Sequence, residues 1–188
     1  MKRTVWLWQL IGFACTALGG TLLHYLYEFT DRAVWIAPFS GVNESTWEHM
    51  KLLFWPMLLF AMVESLFFRD YPHFWCVKLR GTLLGLVLIP VLFYTYNGVI
   101  GQSPDWLNIS IFFVCGAIAY GYETVRLIDG NVPYRSPRGA LLSLLAIGFL
   151  FGLFTFYTPH LGIFRDPIDG TYGIAAEAAF SRQILPCM

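Results

Sequence analysis

Residues 43–50 read NESTWEHM and stand directly before a long apolar run. They contain Asn43, Glu44, Ser45, Thr46, Glu48 and His49, and Lys51 follows at once. Upstream, His24 and Glu28 are four residues apart, a spacing that puts both on one face of a helix. Two imidazoles and two carboxylates are a ligand set for a divalent ion. Catalytic zinc takes three such ligands and keeps one position open. His24, Glu28, Glu48 and His49 are therefore the expected metal ligands, with zinc the favoured divalent metal. Glu48 and His49 are adjacent and point about 100° apart on a helix, so one would ligate and the other support it from behind. Glu48, His49 and Glu44 are the candidate catalytic residues. Without a metal, His49 or His24 could serve as general base, oriented by Glu48 or Glu28. The HExxH and ExxH metal patterns are absent, and no GxSxG frames Ser45 as a nucleophile.

A bland account covers part of the same stretch. Ser45-Thr46-Trp47-Glu48 matches a capping box, in which Ser45 caps a helix and Glu48 reaches back to it. Trp47 suits an interfacial belt. Glu48 and Lys51 are three apart and can pair. Asn43, Glu44 and His49 are left without a role.

The elements that position these residues follow from composition. The chain has 188 residues, 57% of them hydrophobic and only 13% charged. Its mean hydropathy is +0.59. A soluble core cannot bury so much apolar surface, so membrane lipids are expected partners. Twelve basic residues balance twelve acidic ones, and no basic patch points to nucleic acid. Cys15, Cys76, Cys115 and Cys187 are scattered, with no disulfide framework or CxxC pair. Lys2 and Arg3 precede an apolar run over 5–27 that is longer than a signal-peptide core and reads as an uncleaved helix.

Further apolar stretches run over about 51–68, 78–96, 106–128 and 139–158, followed by a tail over 159–188. In hydrocarbon each must satisfy its own backbone polar groups, which makes it a helix. The expected architecture is an all-α bundle of five transmembrane helices in a single domain, residues 1–188. With the N-terminus inside, the inner segments carry Lys2, Arg3, Arg69, Lys78, Arg80, Arg126, Arg135 and Arg138. The outer segments carry Arg32, Lys51, Arg165 and Arg182. That bias favours an inner N-terminus and an outer C-terminus.

In this topology the outer ends converge. His24 and Glu28 close helix one, and the NESTWEHM motif opens helix two. Asn97 closes helix three, Asn108 opens helix four, and His160, Asp166 and Tyr172 follow helix five. Asn43, Lys51, Asn97, Asn108, His160, Asp166 and Tyr172 are the expected supporting residues. Asp166-Pro167 and Asp169-Gly170 mark turns, which suits a tail folded over the outer mouth. Residues 173–185 could form a short interfacial helix. Loop one, with AVWIAPFSG, has an interfacial or re-entrant look. Ala17, Gly20, Thr21, His24 and Glu28 form a stripe expected to face the bundle. Near the inner side, Glu64 has Lys78 or Arg80 as an available partner, and Glu123 has Arg126.

The stretch HYLYEFTDRAVWIAPFSGVNESTWEHMKLLFW, residues 24–55, and the tail FRDPIDGTYG resemble an uncharacterised bacterial family of small polytopic membrane proteins, a domain of unknown function. The resemblance covers nearly the whole chain. It implies a five-helix membrane fold in the bacterial inner membrane and no particular activity. Motifs of rhomboid proteases, alkaline ceramidases, exosortases and lipoprotein signal peptidases are absent. Three functions fit these observations. The first is a membrane-embedded, metal-dependent hydrolase or transferase with an outward-facing site for a lipid or lipid-linked substrate. The second is a structural or partner-binding membrane protein, alone or as a homo-oligomer. The third is a subunit of a small-solute or ion transporter.

Overall fold

A backbone that meets hydrocarbon has to bond to itself, and this chain does so almost entirely as helix. The computed structural model describes residues 2–101, 104–130, 132 and 136–174. It contains α1 (Lys2–Phe29), α2 (Thr46–Glu64), α3 (Phe74–Ile100), α4 (Asp105–Asp129) and α5 (Pro137–Phe156), with a 3₁₀ turn at Gly162–Phe164. Helices α1, α3, α4 and α5 are long and apolar enough to cross a membrane. Their outward faces are greasy: Trp6, Leu10 and Leu18 on α1, Val87 and Val91 on α3, and Leu142 and Phe149 on α5 are exposed. The protein is thus an all-α chain with four membrane-compatible helices.

Helix α2 is different. It carries Glu48, His49, Lys51 and Glu64, and more than half of its residues are buried. It touches all four other helices and the 3₁₀ turn. Leu53 and Met57 pack with Ile89, Cys115 and Ala119, while Phe54 and Leu58 pack with Leu86, Leu144 and Phe151. Pro56 and Pro90 lie inside α2 and α3 without ending them, as neighbouring helices permit in a membrane bundle.

Helices α1, α4 and α5 lie within about three residues of their apolar runs, α3 (Phe74–Ile100) extends four residues past its run at each end, and α2 is shifted from 51–68 to Thr46–Glu64. The start is set by Ser45, whose side chain accepts a hydrogen bond from Glu48 N and whose backbone is extended. The stripe on α1 is also displaced from its expected position. The buried face is Val5, Gln9, Gly12, Thr16, Gly20 and Tyr27, whereas Thr21 and Glu28 are exposed. Ring packing decides this. A Cβ at Gly12 would lie 2.6 Å from both Phe60 and Tyr120 ring carbons, and one at Gly20 would lie 2.8 Å from the Leu52 carbonyl. The rings claim the glycine line, and Thr21 turns outward to donate to Ala17 O.

Loop one and the tail close one end of the bundle. Ile36, Ala37 and Val42 form a small apolar cluster with Tyr27. Ser40 accepts from Tyr27 N and donates to Leu23 O, tying the loop to the end of α1. In the tail, Phe164 is buried against Trp47 and Phe154, and Tyr94 donates to Gly162 O. The helix expected at 173–185 lies, beyond residue 174, outside the described residues, as do Arg135, Arg182 and Cys187.

Candidate functional site

Two hydrogen bonds shape the NESTWEHM turn from within. Asn43 Oδ1 accepts from Ser45 N at 2.9 Å, and Ser45 Oγ accepts from Glu48 N at 3.4 Å. Only half of the capping box forms, because Asn43 has taken the backbone donor that Glu48 would have reached. Glu48 turns the other way. Its Oε2 lies 2.6 Å from Lys51 Nζ and accepts from Val42 N at 3.0 Å. Lys51 is fully buried and also donates to Ala37 O and Thr155 Oγ1, both at 2.9 Å. Glu48 and Lys51 thus form a buried clasp that joins loop one, α2 and α5.

Glu44 lies outside the helix, before the cap, so its side chain is free to cross towards α1. There it meets both histidines. Glu44 Oε1 is 3.7 Å from His24 Nε2, and Glu44 Oε2 is 3.5 Å from His49 Nε2. The imidazole centroids are 5.8 Å apart. One ligand atom from each of His24, Glu44 and His49 fits within a mutual distance of 4.8 Å, close enough to hold a metal ion. Two ligands of tetrahedral zinc at about 2.0–2.1 Å from the ion stand roughly 3.3–3.4 Å apart, so no pair must close by more than about 1.5 Å. His49 Nδ1 lies 3.0 Å from Ser45 O. A proton on Nδ1 gives Ser45 O a second donor beside His49 N and leaves the Nε2 lone pair facing Glu44, the usual support for a metal-bound histidine.

A cleft of about 250 Å³ opens beside the cluster, lined by His24, Glu28, Arg32, Asn43, Glu44, Asp166 and Asp169 among others. Asp31 and Arg32 adopt left-handed backbone conformations, with φ of 50° and 60°, where α1 ends. Asn43 Nδ2, next to the cleft, is buried without a hydrogen-bond partner. Asp166 fastens the tail here. Its Oδ2 accepts from Glu44 N at 2.9 Å and its Oδ1 from Ile168 N at 2.7 Å. The carboxyl of Asp169 is held below its ordinary range by the Thr171 hydroxyl and the Thr171 backbone N–H, which both donate to it.

The structure therefore joins His24 and His49 through Glu44, and sets Glu28 on the cleft wall and Glu48 in the clasp. Asp166 and Asn43 sit at the cleft. Lys51 supports the turn from beneath. The His160 ring lies tilted against Tyr172 with centroids 4.7 Å apart, and the bridge between Arg165 and Tyr172 closes the tail turn. Asn97 donates to Phe93 O within α3, and neither Asn97 nor Asn108 lines the cleft. The bridging position of Glu44 was readable in principle. Glu48 is already matched to Lys51 by its i, i+3 spacing, which leaves Glu44 as the uncommitted carboxylate of the motif.

Compared with known proteins, residues 2–174 match the model of one family, described as a family of unknown function, DUF6512. No curated protein and no solved structure matches the chain.

Proposed function

We propose a function for a chain that belongs to the DUF6512 family of unknown function: a membrane protein that holds a divalent metal, zinc in preference, on His24, Glu44 and His49. The observation that carries this reading is the convergence of two imidazoles on one carboxylate, with one imidazole oriented by Ser45 O. Three protein ligands leave zinc with an open position, the arrangement of catalytic rather than structural sites. Such an ion would lower the pKa of a bound water and supply a nucleophile near neutral pH. Glu28, on the cleft wall, is the carboxylate placed to take a proton. The cluster lies at the end of α1 and the start of α2; with the apolar helices crossing a membrane it would meet lipid headgroups, which favours hydrolysis or group transfer on a lipid or lipid-linked substrate. The excess of Lys and Arg at the other end supports an outward-facing site, in a bacterial inner membrane if the chain is bacterial.

Metal analysis of the detergent-purified protein tests this reading. About one zinc per chain is expected for wild type, with loss in His24→Ala, Glu44→Ala and His49→Ala. A chelator should lower the melting temperature of wild type alone, because a ligand bound to the folded state adds to its stability. Metal-free wild type whose melting ignores both zinc and chelator would refute the site. The same cluster would then be an acid–base or structural arrangement.

A further inference from the structure

At the opposite end of α2 lies a second polar group, about 24 Å along the helix axis from Glu48 to Glu64 at 1.5 Å per residue. Lys78 Nζ of α3 is 2.5 Å from Glu64 Oε2 of α2 and 2.6 Å from Glu123 Oε2 of α4. Gln9 of α1 donates to Glu64 Oε1 at 2.5 Å and accepts from Lys78 at 3.4 Å. Glu64 and Glu123 are 0% exposed, Gln9 2% and Lys78 3%. Four helices thus meet on one ammonium group. Sequence spacing suggested Arg126 for Glu123, but Arg126 instead lies over the Tyr122 ring.

The charges do not cancel. Two carboxylates face one cation, and an uncompensated charge in an apolar interior is far more costly than a neutralised one. Among the described residues, no second cation is ion-paired with either carboxylate. The other groups that face the triad are Tyr120, with its ring 5.4 Å from Lys78 Nζ and its hydroxyl paired to Thr16, and the Phe74 ring. Helix α5 contributes Ala140 to the adjoining apolar cluster. A separate observation points to a missing ligand. Glu123 Oε1 is buried with no hydrogen-bond partner. It presses against Gly81, where any Cβ would collide with it.

We infer that the Glu64–Lys78–Glu123 triad is a proton-binding site. One proton adds to the carboxylate pair to form a carboxylic acid, leaving one carboxylate paired with Lys78 and the triad neutral. Ionisable groups buried among membrane helices are functional candidates by default, and this one carries a proton apart from the histidine cluster.

Infrared spectroscopy of the purified protein at neutral pH reads the triad directly. Wild type should show the carbonyl stretch of a protonated carboxylic acid. Glu123→Gln and Glu64→Gln each leave one carboxylate on one ammonium, so both should fold, as circular dichroism would verify, and both should lose the band. Absence of the band in wild type, or its survival in both folded variants, would overturn the inference. Melting temperature in sodium, potassium and choline chloride at equal ionic strength provides the second arm. No difference is expected. Stabilisation by sodium or potassium over choline would mean that a metal cation balances the triad, and the proton site would be refuted.

Discussion

Lys51→Met tests the clasp beneath the candidate metal site. The substitution keeps an unbranched side chain, one atom shorter, and removes the ammonium. Glu48, 3% exposed, then keeps its bond from Val42 N but loses the cation 2.6 Å away. Breaking a buried pair by removing one partner costs about 3–5 kcal/mol, because the other charge is left uncompensated. Ala37 O also loses its donor, which adds about 1–2 kcal/mol. In Glu48→Gln/Lys51→Met the carboxylate is gone, while Gln can still accept from Val42 N. The double variant should therefore cost only about 1–2 kcal/mol, which is the unmet carbonyl. Unfolding by denaturant in mixed micelles measures both. The ordering is the sharp part, since the double change must be less costly than the single one. A double variant as destabilised as Lys51→Met, or more so, would refute the account of Glu48 as a charge held by Lys51. Metal content gives a second reading. Both variants keep the Val42 N–H bond to residue 48 that leads into the turn carrying Glu44, so both should retain the metal content of wild type.

Other expectations follow from single contacts. Ser45→Ala removes the N-cap of α2 and should cost about 1 kcal/mol in the same assay, while His49→Gln should leave stability in the presence of chelator unchanged and abolish the metal-dependent increment. Gly12→Ala places a methyl against Phe60 and Tyr120 and should cost about 1–3 kcal/mol through overpacking. Ile168, 80% exposed in the tail, reports orientation. In a background without native cysteines, Ile168→Cys should react with a membrane-impermeant maleimide in intact cells and Asp70→Cys should not; the reverse pattern would invert the topology. Cys76 cannot serve for this purpose, because it is buried at 3% exposure.

The helices were legible because the apolar period and the breaks between runs are local properties of the chain. Helix α3 passes through Pro90 and still fills its predicted place, since hydrophobic length dominates over one missing backbone donor. The capping turn was legible for the same reason, as Ser45 and Glu48 are three residues apart. What failed was rotational detail. Whether Gly20 or Thr21 faces inward depends on where the Phe112 ring lies, and Phe112 is on a different helix. The partner of Glu123 is likewise not its neighbour along the chain. Arg126 is one turn away, but Lys78 arrives from α3, where only the tertiary packing could put it. The site shows the same division. His24, His49 and their shared end of the bundle came from the sequence pattern. Spacing leaves Glu44 as the uncommitted carboxylate, but its reach to both histidines depends on the end of α1 lying against the start of α2, which no local spacing encodes.

Both polar groups are built on α2, and the reason is physical. A charge that faces lipid is costly, and one that faces other helices can be paired. The helices α1, α3, α4 and α5 supply apolar outer surfaces and present few charges of their own to the interior: Lys78 from α3 and Glu123 from α4. Helix α2 is the most buried of the five, so it can hold Glu48 and Lys51 at one end and Glu64 at the other. Between them lie Leu52, Leu53, Phe54, Met57, Leu58 and Ala61, all buried and all apolar. That segment keeps the two polar groups electrically separate. A proton held by the Glu64 triad has no polar path along α2 to the histidines, so Glu123→Gln should leave metal content at His24, Glu44 and His49 unchanged. Loss of metal in that folded variant would show that the two ends of α2 are coupled, and the apolar segment would then have to be read as a mechanical link between them rather than an insulator.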